Sequence, residues 1–263
     1  MDLGLEGKVA LVTGGSEGIG RAAAERLAQE GASVVICARR DAVLEQTAAD
    51  IRERTGGEIT TVVADVTRDD DVAALFETTV ERYGGLDILV NNAGTAAAGR
   101  FEEVSDAAWR EDLELKVFGA VRCARAAIPW MRQRGGGRII NLSIPGGKAP
   151  PAGTLPTSVS RSAGLTLTKV LANEHAADGI LVNAVCIGLI KSGQNDRRFE
   201  RAREDEPGLT RDAYYERLGA DVPLGRVGEA EEAGDVIAFL ASKRASYVTG
   251  TAINIDGGSS PVL

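Results

Sequence analysis

The chain carries the stretch VALVTGGSEGIG at residues 9–20. Its first five residues form a run without a charged break, which predicts a strand buried on both faces. The glycines that follow predict a loop that can hold a pyrophosphate: Gly14 permits a tight turn, Gly18 lets the backbone approach the ligand, and Gly20 lets helix and strand pack closely. The first amides of the next helix would point at the phosphates. The stretch therefore predicts a dinucleotide site near the chain start.

The rest of the chain repeats this alternation of short apolar runs and amphipathic stretches. The runs lie at residues 9–13, 33–37, 59–64, 88–90, 138–142, 181–185 and 252–255, and the amphipathic stretches at 20–30, 42–54, 70–83, 106–134, 158–177 and 229–242. Such alternation implies right-handed crossovers and a parallel sheet. Because no linker or repeat interrupts it, residues 1–263 are predicted to form one α/β domain, a Rossmann-type doubly wound parallel sheet of about seven strands with helices on both faces.

Composition and charge narrow the function classes. The net charge is -8, and an acidic surface repels phosphate backbones, so we expect no nucleic-acid partner. No stretch approaches the roughly 20 apolar residues of a membrane span, and the first residues lack a signal-peptide pattern, so we expect a cytoplasmic protein. Cys37, Cys123 and Cys186 lie far apart in apolar segments and are predicted to be buried thiols. His175 is the only histidine, and we expect no metal site.

Several motifs together resemble the short-chain dehydrogenase/reductase family. They are Thr-Gly-x-x-x-Gly-Ile-Gly at residues 13–20, Asp65-Val66 after the third predicted strand, Asn91-Asn92-Ala93-Gly94 at the end of the fourth, and PLGRVG, VTG and DGG at residues 223–228, 248–250 and 256–258. The resemblance runs over nearly the whole chain. It implies a nicotinamide dinucleotide as cofactor and a small-molecule carbonyl or alcohol as substrate.

The residues expected at the cofactor come from these motifs and from the loops between them. They are Gly14, Ser16, Glu17, Gly18, Ile19, Gly20, Arg39, Arg40, Asp65, Val66, Asn91, Ala93, Gly94, Arg161, Gly188, Ile190 and Ser192. The resemblance gives Asp65 a hydrogen bond to adenine. It also gives Ser192, at the position of the family's threonine, a bond to the carboxamide.

The residues after the second strand favour NADP over NAD. An acidic residue there holds the ribose 2′-hydroxyl of NAD, whereas a basic one accommodates the 2′-phosphate of NADP. This chain has Cys37-Ala38-Arg39-Arg40, and Arg39 can form a bidentate pair with a phosphate. Glu17 argues the other way, since a carboxylate in the glycine-rich loop would repel that phosphate. We therefore expect NADP(H), with NAD as the alternative.

The positions of the family's catalytic side chains hold other residues. The resemblance implies a tyrosine that donates a proton, a lysine four residues later, a serine thirteen residues before the tyrosine, and an asparagine on the fourth helix. When the flanking motifs are aligned, these four positions fall on Thr157, Arg161, Ile144 and Lys116. All four are substituted, and residues 84–213 contain no tyrosine that could replace the missing one.

Other side chains could still supply the chemistry. Ser143 lies one residue before the serine position, and it can serve only if the chain leaves strand geometry there, because a one-residue shift turns a side chain to the other face. Lys116 in a buried, cationic pocket could have a lowered pKa and donate a proton. Thr157 keeps a hydroxyl and Arg161 keeps a positive charge. Further candidates are Lys148, Tyr214 and Tyr215.

Three functions fit these observations. The first is an NADP(H)-dependent oxidoreductase with a non-standard active site. The second is a non-redox isomerase, cyclase or lyase, in which Lys116 and Arg161 would stabilise an anion. The third is a catalytically silent cofactor-binding protein.

Two further expectations concern a lid and the assembly. The charged residues 193–221 have no strand character and follow the sixth strand, so we expect a lid over the substrate. The resemblance implies a homo-oligomer, a tetramer or a dimer. An apolar stripe supports it, formed by Leu113, Val117, Ala120, Val121, Ala124 and Ile128.

Overall fold

A parallel seven-stranded sheet forms the centre of the protein. The structure, a computed structural model, describes residues 2–263; Met1, the first residue of the predicted domain, lies outside the described residues. The strands are β1 (Val9–Thr13), β2 (Ser33–Ala38), β3 (Ile59–Val63), β4 (Ile88–Asn91), β5 (Ala98–Gly99), β6 (Gly137–Ser143), β7 (Leu155–Pro156), β8 (Ile180–Ile187) and β9 (Ala252–Ile255). The central sheet has the order β3-β2-β1-β4-β6-β8-β9, and β5 and β7 form a separate antiparallel pair. The predicted fold class and its seven strands are confirmed.

Helices cover both faces of this sheet. They are α1 (Gly18–Gln29), α2 (Asp41–Thr55), α3 (Asp69–Tyr83), α4 (Asp106–Leu113), α5 (Gly119–Gln133), α6 (Thr157–His175), α7 (Gly193–Asp205), α8 (Arg211–Gly219) and α9 (Ala230–Ala241). Buried residues of α1, α2 and α9 pack on one face, and those of α3, α5 and α6 pack on the other. The strands contribute Val and Ile to both clusters, as expected of strands buried on both faces.

The strand order reverses between β1 and β4, and this point places the ligand site. β2 and β3 lie on one side of β1, whereas β4, β6, β8 and β9 lie on the other side. Ligands of doubly wound sheets bind outside the carboxyl ends of the strands at such a point. Thr13 ties the two ends together, since its hydroxyl accepts hydrogen bonds from the amides of Asn92 and Ala93, each at 3.0 Å.

The long helix predicted over residues 106–134 is interrupted. α4 ends at Leu113, a π-helical turn covers Glu114–Phe118, and α5 continues from Gly119. The apolar pattern on both sides of the turn hides this change, because a π turn shifts the helical register without a Gly or Pro signal. π turns are frequent at functional sites, and Lys116 lies within this one.

The charged segment 193–221 forms α7 and α8, consistent with its lack of strand character. Phe199 of α7 and Tyr215 of α8 are buried. Asp196 accepts hydrogen bonds from the Tyr215 hydroxyl at 2.8 Å and from Arg211 at 2.7 Å, which joins the two helices. The three cysteines are buried and free. Within residues 2–263, no helix has both the length and the apolar character of a membrane span.

Candidate active site

The glycine-rich loop has the backbone geometry that a pyrophosphate site needs. Gly14 and Gly18 have φ values of +65° and +53°, which side chains rarely tolerate. A Cβ on Gly20 would lie 2.3 Å from the Gly14 carbonyl oxygen, so only glycine allows α1 to approach the loop this closely. No side chain caps α1 at Glu17, which leaves its first amides available to an anion. Ser16 is held from behind, because Thr47 donates to its carbonyl at 2.8 Å.

Two arginines and two carboxylates lie beside this loop. Arg39 and Arg40 are largely exposed; Arg39 lies 3.9 Å from Asp65, and Arg40 lies 2.8 Å from Glu17. Asp41, two residues after Arg39, begins α2, and the fold brings two further carboxylates to the arginines, Glu17 from the glycine loop and Asp65 from beyond the end of β3. Glu17 also lies 3.7 Å from Arg197 of α7. Glu17 thus connects the arginine pair to the segment expected to form the lid.

Residues at and beyond the carboxyl ends of β3 and β4 are held by hydrogen bonds and packing. Thr67 donates to Asp65 at 2.8 Å and fixes that carboxylate. Asn91 donates to Asn141 at 2.9 Å, and Asn141 donates in turn to Thr168 of α6 at 2.9 Å. Val66 packs against Gly119, where a Cβ would approach its methyl group to 3.0 Å. These contacts fix the side chains of Asp65, Asn91 and Asn141.

The residues expected at the family's catalytic positions differ in their surroundings. Lys116 and Thr157 meet directly, with the lysine Nζ donating to the threonine Oγ1 at 2.8 Å. Lys116 also forms an ion pair with Asp112, and both side chains are almost fully buried. Asp112 accepts a second hydrogen bond from Ser160 at 2.5 Å. The structure therefore contains a buried Lys116–Asp112–Ser160 cluster below Thr157.

The Thr157 hydroxyl is engaged on several sides. It donates to the Ala97 carbonyl at 2.5 Å and accepts from the Ala97 amide at 3.1 Å and from Lys116. The Asp112 carboxylate lies 3.4 Å away. These bonds fix the loop around Ala97 against the start of α6, so Thr157 has a structural role whatever chemistry it performs.

Arg161 lies one helical turn after Thr157 and is half-buried. Its Nη1 donates to the Leu142 carbonyl at 2.6 Å, and its Nη2 lies beside Gly94, where a Cβ would approach it to 2.7 Å. Burial lowers the pKa of Arg161 to about 10, so the guanidinium stays charged at neutral pH. Its Nε and the Asn91 Oδ1 are buried without a hydrogen-bond partner within the described residues.

A small cavity lies between these groups. It has a volume of about 20 Å³, and its lining includes Lys116, Arg161, Asn91 and Ser160. A polar cavity above about 10–15 Å³ can hold one water molecule when several polar groups surround it. The cavity thus provides room for a water beside the buried lysine.

Burial dominates the ionisation of Lys116. It lowers the lysine pKa from 10.5 to about 8; the hydrogen bond that Lys116 donates to Asp112 opposes this change, and the charge of Arg161 adds to it. An ammonium group with a pKa near 8 is largely protonated at neutral pH and can release its proton at moderate cost. Lys116 therefore has the ionisation expected of a general acid.

The remaining candidates are held elsewhere. Ser143 ends β6, and its hydroxyl donates to the Arg161 carbonyl at 3.3 Å, so it supports the backbone of α6. Lys148 donates to Ala252 and Asn254 near β9, at 2.8 and 2.7 Å. Burial raises the pKa of Tyr215 to about 12, and its hydroxyl is bound to Asp196, so it is a poor acid.

The loop after β8 meets the cofactor pocket from the other side. A Cβ on Gly188 would lie 2.6 Å from Asp256. Close packing against Asp256 therefore requires glycine at this position. Ile190 is buried, and its carbonyl accepts from Asn195 at 2.7 Å. Ser192 caps α7 through the Asn195 amide at 3.5 Å, and its Cβ lies near Gly18. The start of α7 therefore contacts the glycine-rich loop.

Asp112 and Ser160 are the residues of this cluster that the sequence did not reveal. Asp112 precedes Lys116 by four residues, a spacing that brings side chains together on a helix. Ser160 and Arg161 are neighbours on α6, and their side chains point in different directions. Ser160 donates to Asp112 of α4, whereas Arg161 donates to the Leu142 carbonyl. An acidic residue at this spacing inside an otherwise apolar helix face was the available signal.

The fold and the glycine-rich site define a dinucleotide-binding Rossmann protein. Comparison with known proteins narrows the class: residues 14–260 match the family described as Enoyl-(Acyl carrier protein) reductase, and human dehydrogenase/reductase SDR family member 4 is 36% identical over 256 residues, 97% of this chain and 88% of that protein. The chain belongs to the short-chain dehydrogenase/reductase family.

Two solved structures are similar over almost their whole length. L-sorbose reductase from Gluconobacter frateurii, in complex with NADPH and L-sorbose, has a TM-score of 0.96, 37% identity and full coverage of both chains. An NADPH-bound short-chain oxidoreductase from Pseudomonas aeruginosa PAO1, described as containing an atypical catalytic center, has a TM-score of 0.90 and 36% identity, covering 97% of this chain and 98% of that one.

Proposed function

We propose that the chain is an NADP(H)-dependent oxidoreductase that interconverts a carbonyl and an alcohol through a lysine–threonine proton relay. One observation carries the proposal: the buried Lys116 ammonium donates to the hydroxyl of Thr157 at 2.8 Å. Thr157 is the residue that we expect at the position of the family's tyrosine. A buried proton donor is thus coupled to a hydroxyl. The NADPH-bound relative with an atypical catalytic center supports a non-standard site on this fold.

The pocket fits a phosphorylated dinucleotide. Gly14, Gly18 and Gly20 leave the backbone open to a pyrophosphate. Arg39 and Arg40 lie where a 2′-phosphate would be held, and their guanidinium groups are exposed. When bound, NADPH supplies the hydride. We expect Arg161, whose Nη2 lies beside Gly94, to donate to ribose hydroxyls, and its charge persists through the neutral range.

The chain's own residues manage the proton. In the reductive direction Thr157 turns its hydroxyl proton from the Ala97 carbonyl to the substrate oxygen and forms the new O–H bond. Lys116 then donates a proton to the Thr157 oxygen and becomes neutral. Solvent restores the lysine proton, and the roughly 20 Å³ cavity beside it can hold a water for that transfer. The oxidative direction reverses each transfer.

We further propose that residues 193–221 act as a lid. Their first helix, α7, begins beside Gly18, and Arg197 lies 3.7 Å from Glu17. The bonds from Tyr215 and Arg211 to Asp196 would make α7 and α8 move as one unit. A rigid pair of helices that contacts the phosphate loop can close over a substrate without its own rearrangement.

A catalytically silent binding protein is the second candidate. The two hydrogen bonds between the Thr157 hydroxyl and the backbone of Ala97, one accepted from the amide and one donated to the carbonyl, favour it, because they give the residue a structural role. Fluorescence titration with NADPH, followed by a turnover screen that includes L-sorbose and other ketones, separates the two functions. Tight binding with no NADPH oxidation across the screen would favour the silent protein.

The first prediction concerns cofactor choice. NADPH should bind more tightly than NADH, and Arg39→Asp should remove that preference, because it replaces a phosphate-binding cation with a repelling carboxylate. Glu17→Gln is the matched variant with the opposite expected effect. It removes the ion pair between Glu17 and Arg40, so the affinity for NADPH should rise while the affinity for NADH stays unchanged. Titration calorimetry at moderate salt measures both. Equal affinities for the two cofactors in the unmodified chain would contradict the assignment.

The second prediction concerns Thr157. Thr157→Ala should lower kcat by less than the roughly 10²–10⁴-fold typical of losing a general acid, because a water can occupy the vacated space and pass on the Lys116 proton. Thr157→Val, which has the shape of threonine without its hydroxyl, should block that water and lower kcat much further. Thermal unfolding of both variants serves as the control. A larger loss in the alanine variant than in the valine variant would contradict the relay.

We also propose that the chain forms dimers or tetramers. Of the predicted apolar stripe, Ala124 and Ile128 are buried in the subunit, whereas Leu113, Val117 and Val121 are only half-buried, and Phe118 beside them is exposed. Covering these side chains would remove apolar surface from water. Light scattering at micromolar concentration should give the mass of two or four subunits, and Phe118→Glu should reduce it. A monomeric mass for the unmodified chain would overturn this expectation.

A further inference from the structure

The buried carboxylate of Asp112 has no place in the relay described so far. It comes from the last turn of α4, its side chain is about 1% exposed, and it forms an ion pair with Lys116. Its second oxygen accepts from Ser160 of α6 at 2.5 Å, and Thr157 Oγ1 lies 3.4 Å from the first. The carboxylate therefore contacts both Lys116 and Thr157, the hydroxyl to which the lysine also donates.

Two opposing charges act on Lys116 within its closed surroundings. Asp112 on the preceding turn attracts its proton, and Arg161 of α6 repels it. Thr157 and Ser160, the other polar groups nearby, are neutral. Without Asp112, the lysine would share a buried space with one other cation and with no anion, a situation that strongly favours loss of its proton.

We propose that Asp112 is a positioning residue that keeps Lys116 protonated and thereby sets the upper pH limit of the proton relay. The carboxylate also aims the lysine at Thr157, since the bond from Ser160 fixes the carboxylate between α4 and α6. The catalytic consequence rests on the proposed function. The ionisation of Lys116 can be followed without any turnover.

A titration of the lysine itself tests this proposal. The chain has six lysines, so NMR of the full chain labelled with ¹³C,¹⁵N-lysine gives a small set of side-chain signals, and Lys116→Met assigns the relevant one. The signal should titrate near pH 8 in the unmodified chain. In Asp112→Asn its midpoint should fall by about 1–3 pH units, the size expected for the loss of an adjacent opposite charge.

Glu114→Gln is the matched control. It removes a carboxylate two residues further along the same segment, where Glu114 pairs with Arg122, and it should leave the Lys116 midpoint unchanged. Thermal unfolding checks that each variant is folded. If Asp112→Asn does not fold, Asp112→Ser replaces it, because a serine hydroxyl can keep a bond with Ser160 while removing the charge. An unchanged or raised Lys116 midpoint in the folded variant overturns the proposal.

The pH dependence of turnover provides an independent test of the role of Asp112. In Asp112→Asn the pH at which kcat falls by half should move downward with the lysine midpoint, while KM stays near its original value. If the midpoint moves but turnover does not depend on Lys116, the proposed relay fails and the role of Asp112 in ionisation stands. If turnover depends on Lys116 and the midpoint does not move, the role of Asp112 is wrong and the relay stands.

Discussion

The Lys116 ammonium is buried among α4, the π turn and α6, and the packing of these segments depends on satisfying its charge. An isolated buried cation is costly unless it is paired and hydrogen-bonded. Asp112 supplies the pair and Thr157 supplies a neutral acceptor at 2.8 Å. Thr157 in turn holds the loop around Ala97. One charge thus links the fourth helical segment, the start of α6 and the loop after β4.

The cofactor half of the pocket follows a different constraint. There the backbone must approach a phosphate, and the positive φ values of Gly14 and Gly18 with the close packing of Gly20 meet that need. This geometry does not involve the Lys116 cluster. The two halves meet at Arg161, which reaches Gly94 with one nitrogen and lines the cavity beside Lys116. The Lys116 cluster and the dinucleotide site can therefore vary independently of each other.

The fold was predictable from the sequence because its signals are local. Buried parallel strands read as apolar runs, and the residues of β1 and β9 were predicted at their observed bounds. Lys116, Thr157 and Arg161 were predicted at catalytic positions from the register of the flanking motifs, and that assignment stays a prediction. The meeting of Lys116 and Thr157, 41 residues apart, depends on how α6 packs on the π turn, and no local pattern encodes that contact.

Other parts of the site arise only from tertiary approach. Asp65 and Glu17 reach Arg39 and Arg40 from different loops, so the residues after β2 alone could not show them. Asp112 stood at helical spacing from Lys116, yet a carboxylate on a helix is usually solvated, and its burial depends on Ser160. No residue type in the sequence predicted the π turn that contains Lys116.

The central claim is that Lys116 supplies the proton for carbonyl reduction, and the pH dependence of reduction tests it most directly. A group that must be protonated supports activity below its pKa and loses it as pH rises through that value. Burial lowers the pKa of Lys116 to about 8, so the rate of NADPH oxidation with a reducible ketone should fall through a single ionisation near pH 8. In Lys116→Met the rate should be low and lack that ionisation, with NADPH affinity unchanged. A pH profile in Lys116→Met identical to that of the unmodified chain would contradict the account.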